Sequence, residues 1–90
     1  SDLYLSGEID HHSAVQIRQT IDESVIQASA ARLVLDFAAV TFMDSSGIGL
    51  VMGRFRLMQE TGGTVALQNL PSPIRKVMKL AGLDKLAEFC

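Results

Sequence analysis

Short apolar runs alternate along the chain with stretches whose apolar residues recur every three or four positions, the periods of strand and helix. Leu3-Tyr4-Leu5 is such a run and is stopped by Gly7, which predicts a strand whose exit turn is Gly7-Glu8-Ile9-Asp10. After His11-His12, Ser13 with Gln16 three residues on has the form of a capping box. Ala14, Ile17, Ile21, Val25 and Ala28 follow at helical spacing, so an amphipathic helix is predicted from Ser13 to about Ala28.

Arg32-Leu33-Val34-Leu35-Asp36-Phe37 is β-rich and short, and its apolar centre predicts a strand buried on both faces. Strand, helix, strand points to a parallel crossover. Val40-Thr41-Phe42-Met43 carries the chain on to Asp44, after which Ile48, Val51, Met52, Phe55 and Met58 form the inward stripe of a second helix, ended by Gly62-Gly63. Thr64-Val65-Ala66-Leu67-Gln68-Asn69-Leu70 predicts another strand, stopped by Pro71. Ser72-Pro73 caps a short helix with Pro73 in its first position, Ile74, Val77, Met78 and Ala81 on one face, and Gly82 behind it. Leu83 to Phe89 is apolar and fits either period. The alternation predicts one α/β domain over residues 1–90, a small mixed or parallel β-sheet packed with α-helices.

Composition narrows the picture without changing it. Ninety residues, 48% of them hydrophobic, suffice for one core and leave no room for a second domain. A net charge of −2, with acids and bases interspersed, gives no basic field for nucleic acid or an anionic membrane. The single cysteine, Cys90, cannot close an intrachain disulfide, and the reading is a cytoplasmic protein. No apolar stretch reaches the roughly 18 residues of a membrane span, and no leader pattern opens the sequence. Because apolar alternation starts almost at residue 1, a further strand upstream is expected.

The chemistry gathers at Phe42-Met43-Asp44-Ser45-Ser46-Gly47, where a strand becomes a helix N-terminus. The first N–H groups of a helix lack intrahelical partners and the helix dipole is positive there, so side-chain oxygens and phosphate are favoured. Asp44 fits the N-cap, contributing about 1 kcal/mol. Ser45 then becomes the first helical residue, its hydroxyl either an ordinary cap-region group or a site of modification. Gly47, Gly49 and Gly53 each cost about 1 kcal/mol relative to alanine, so small size is required on that surface, for close packing inside the fold or for approach by a partner.

Other motifs fail on spacing. Gly47, Gly49 and Gly53 put the third glycine of a dinucleotide fingerprint one residue late, with no acid about 20 residues on. No Gly-Lys-Ser/Thr marks a P-loop, and Asp44 occupies the place of the first glycine in a nucleophile elbow at Ser46. His11 and His12 are adjacent, so they diverge by about 100° on a helix and lack ligand spacing; they read as helix-start surface residues rather than as a base or a metal site.

Three blocks together resemble one family: Gly7-Glu8-Ile9-Asp10-His11-His12, Phe42-Met43-Asp44-Ser45-Ser46-Gly47-Ile48-Gly49, and Ser72-Pro73 followed by Gly82-Leu83. In this order and over nearly the whole chain they are similar to the anti-sigma factor antagonists, which consist of a STAS domain, and above all to those acting on the anti-sigma F factor of sporulating bacteria. The resemblance implies a short sheet backed by helices, an N-terminal strand ahead of residue 1, and no enzymatic activity or cofactor of the protein's own. It implies that Ser45 accepts phosphate from an anti-sigma factor that is also a serine kinase and supplies the ATP. The unphosphorylated form would bind that factor and release the sigma factor, phosphorylation would end the binding, and a phosphatase would restore it. Asp10, Asp44, Ser46, Gly47 and Gly49 are implied in partner binding. Alternatives are another STAS interaction module, of the stressosome or transporter-associated kind, and a nucleotide-binding enzyme, for which the glycines and the helix N-terminus speak.

Overall fold

In the computed structural model, which describes residues 1–90, strands and helices alternate: β1 (Asp2–Ile9), α1 (His11–Ala28), β2 (Arg32–Met43), α2 (Ser45–Gln59), β3 (Thr64–Gln68), α3 (Ser72–Leu80), a 3₁₀ turn (Leu83–Lys85) and β4 (Glu88–Phe89). All neighbouring strands pair in parallel, in the order β1-β2-β3-β4. The sheet is therefore parallel, the second of the two arrangements expected. Its central strands are near-continuous apolar runs because helices cover them: Leu33, Leu35, Phe37, Val65 and Leu67 meet Ile21, Val25, Val51 and Met58 in one core. No helix is long and apolar enough to cross a membrane.

The largest departure lies in β1 and β2. Gly7 does not end β1; it sits within the strand at φ 74°, and pairing continues to Ile9. Tyr4 and Ser6 pair with Asp36 and Ala39, and Gly7 and Glu8 with Val40 and Phe42, so β2 carries one extra residue at each of two bulges. These bulges make one strand, Arg32–Met43, from what alternation alone divides in two. The first is held by Asp36, which is 6% exposed and accepts from the Ala38 N–H, Gln68 Nε2 and Asn69 Nδ2, each at 2.8 Å. Those donors, the Ala38 N–H foremost, hold the Asp36 carboxyl below the usual aspartate range.

Helix starts differ by local chemistry. Asp10, not Ser13, is the N-cap of α1: its Oδ1 accepts from His12 N and Ser13 N at 2.9 Å, and Ser13 Oγ accepts from Asp10 N at 2.9 Å. The capping box exists, but with Ser13 as its third helical residue. α3 begins at Ser72 behind Pro71, without a side-chain cap, so Ser72 is not its N-cap. Leu83 to Phe89 divides between the 3₁₀ turn and β4.

Candidate functional site

The parallel register places the ends of β1 and β2 side by side. Ile9 pairs with Met43, and Asp44 N donates to Ile9 O at 3.0 Å. The next residues, Asp10 and Asp44, are the N-caps of α1 and α2, so two carboxylates and two helix N-termini share one edge of the sheet. The Ser13 N–H, first among its donors, holds the Asp10 carboxyl below the ordinary aspartate value.

At α2 the cap spacing holds as predicted. Asp44 Oδ1 accepts from Ser46 N at 2.8 Å, and Gly47 N donates to Asp44 O at 3.0 Å. Ser45 is the first residue of the helix, exposed, and no hydrogen bond ties its Oγ to the chain. Ser46 is half-buried behind the cap. The structure thus brings Asp10, Asp44, Ser45 and Ser46 to one rim. The Ser45 hydroxyl is exposed and unbonded directly after the Asp44 cap, at the rim that the Asp10 cap shares.

The three glycines differ in surroundings: one is packed inside the fold and two face open space. Gly47 is buried, and a Cβ there would collide with the Met43 side chain. At Gly49 and Gly53 a Cβ would meet nothing within 4 Å. These two line an open groove of about 270 Å³ between α1 and α2, together with Val15, Arg18, Ser46 and Arg54.

Sequence reasoning missed the polar part of this groove. Arg54 lies on the buried stripe of α2 at 7% exposure, and its Nε stands 2.8 Å from Asp22 Oδ1 of α1. Neither atom meets hydrogen-bond geometry, so the contact is Coulombic. Burial depresses the Arg54 pKa, Asp22 opposes that, and nearby Arg18 adds to it. The available signal was spacing: Gly47, Leu50, Val51, Arg54 and Met58 recur every three or four residues, which puts an arginine on an inward face. His11 and His12 stack on one another at 4.0 Å and are exposed. No three His, Cys, Asp or Glu side chains converge as metal ligands.

Comparison with known proteins agrees with this architecture. The STAS domain profile matches residues 2–90. The "Anti-sigma F factor antagonist" of Paenibacillus polymyxa is 35% identical over 82 residues, which is 91% of this chain and 70% of that protein. The solved structure of the anti-sigma factor antagonist SpoIIAA in its unphosphorylated form superposes with a TM-score of 0.84 at 36% identity, covering 99% of this chain and 77% of that one. The Bacillus cell fate determinant SpoIIAA in its phosphorylated form gives 0.76 at 36% identity, with 99% and 80% covered. Sequence and topology therefore converge, and the chain belongs to the STAS domain family.

Proposed function

We propose that this protein is an anti-sigma factor antagonist whose binding is switched off by phosphorylation of Ser45. The observation that carries the reading is the exposed, unbonded Ser45 hydroxyl directly behind the Asp44 cap, at a rim shared with Asp10. The relative named an anti-sigma F factor antagonist and the SpoIIAA structures in both phosphorylation states support it. In this reading the partner is an anti-sigma factor with serine kinase activity, which brings its own ATP. A phosphatase resets the switch, and Asp10, Asp44, Ser46, Gly47 and Gly49 form or shape the contact surface. The protein acts by binding, in the cytoplasm, and performs no catalysis.

Electrostatics suffices for the switch. Phosphate adds about −1.5 to −2 charges beside carboxylates already fixed at both caps. Each negative charge that a bound partner places ~6 Å from this patch is repelled by about 3 kcal/mol per unit of added charge, at an effective dielectric of ~20 and before salt screening. That corresponds to over a hundredfold in affinity, with no refolding.

Selection of Ser45 over Ser46 follows from capping. The Ser46 N–H is tied to Asp44, and successive helical side chains diverge by about 100°, so a kinase at the rim meets the Ser45 hydroxyl first. The test is incubation of wild type, Ser45→Ala and Ser46→Ala with the anti-sigma factor of the source organism and magnesium ATP, then location of phosphate by fragmentation mass spectrometry. Phosphate on wild type and Ser46→Ala, with none on Ser45→Ala, is expected. Phosphate that survives Ser45→Ala and vanishes in Ser46→Ala would overturn the assignment. Ser45→Ala should keep binding in the presence of ATP, and Ser45→Asp, with one charge, should weaken binding less than phosphate does.

A further inference from the structure

The groove between α1 and α2 has a chemistry of its own. Its polar wall is Arg18 and Arg54, one guanidinium exposed and the other nine-tenths buried. Only Asp22 opposes this pair, through Arg54 Nε, so one positive charge is left over. No hydrogen bond satisfies that Nε, and the other N–H groups of Arg54 meet no acceptor in the chain. Guanidinium N–H groups at the wall of an open groove are free to donate to an acceptor that enters it. On the same helix as Arg54, Gly49 and Gly53 leave backbone bare, while Leu50 of α2 and Val15 of α1 add apolar surface. Ser46 belongs both to this groove and to the Asp44 cap, so the groove opens beside the proposed phosphorylation site.

We infer that this groove is a docking pocket for one acidic side chain of the anti-sigma factor, its carboxylate received by Arg18 and Arg54 and its stem lying over Gly49 and Gly53. A single carboxylate matches the single surplus charge. A polyanion does not, because Asp10 and Asp44 stand at the adjoining rim and would repel it. Guanidinium recognises carboxylate through paired N–H donors, and the glycines permit the close approach such geometry needs. The pocket sets specificity and register, whereas Ser45 sets the on and off states. A partner that set a basic side chain over the groove would meet the surplus positive charge of Arg18 and Arg54, which is discrimination by repulsion.

The inference rests on the antagonist reading, and the experiment separates the two. Affinity for the anti-sigma factor of the source organism is measured by calorimetry for wild type, Arg18→Glu, Arg18→Lys and Gly53→Leu, with melting temperatures alongside. Charge reversal at Arg18 should weaken binding about tenfold, with Arg18→Lys within a few fold of wild type. Gly53→Leu should weaken binding at least tenfold by filling the groove, at unchanged or higher melting temperature. Among partner variants with surface acids changed one at a time to arginine, one should restore binding to Arg18→Glu. If wild type binds and is released by phosphorylation while Arg18→Glu and Gly53→Leu bind equally well, the antagonist reading stands and the pocket is refuted. If inorganic phosphate competes and no partner acid gives rescue, the groove takes phosphate and the inference is wrong. Failure of wild type to bind at all would remove both.

Discussion

Alanine at the three glycines of α2 should change stability with opposite signs, because one glycine is packed and two face open space. A Cβ at Gly49 or Gly53 meets nothing within 4 Å, so alanine there gains helix propensity alone, about 1 kcal/mol. In a domain of this size about 1 kcal/mol raises the melting temperature by roughly 4–8 °C. At Gly47 the same gain is offset by the clash with Met43 Cγ and Sδ. Overpacking a core costs about 1–3 kcal/mol, and the flexibility of methionine sets the cost toward the low end. Gly47→Ala should therefore be neutral to about 2 kcal/mol less stable. Thermal unfolding followed by circular dichroism, repeated in urea for the midpoint, reads all three. Gly49→Ala or Gly53→Ala melting below wild type would refute the claim that these positions face open space. A gain in stability from both, coupled to weaker partner binding, would show two residues that cost stability and are retained for contact.

Two further outcomes follow from charges held by fixed partners. Asp10 and Asp36 both have carboxyl pKa values lowered from 3.8, so the unfolded chain takes up protons first as pH falls. Their stabilisation is complete above about pH 4 and is lost as pH drops through the lower folded values; Asp36→Asn should melt below wild type at about pH 7, by a gap that narrows as acid protonates Asp36 in the folded protein. A gap that stays constant with pH would contradict this. Asp22→Ala, which leaves the Arg54 guanidinium buried without its counter-charge, should lower the melting temperature more than Arg54→Leu; the reverse order would mean that attraction in the pair outweighs desolvation.

The sequence by itself determined the alternation of elements, the amphipathic α1 and the cap that sets Ser45 at the start of α2, and left the sheet mixed or parallel. Each of these is encoded within a few neighbouring residues, by hydrophobic period or by the demand of free N–H groups for an oxygen. Tertiary structure decided what depends on residues far apart in the chain. The bulges of β2 arise from register against β1, and the first is held through Asp36 by Gln68 and Asn69, so alternation along Arg32–Met43 could not reveal a single strand. Asp10 displaced Ser13 as the cap because β1 continues past Gly7 to Ile9, which places Asp10 at the first helical turn. Gly47, Gly49 and Gly53 share a composition but not an environment, and only the packing of α2 on β2 and α1 separates them. The Arg18 and Arg54 pair came together across two helices because α1 and α2 lie side by side, a contact between residues 36 positions apart that no local pattern carries.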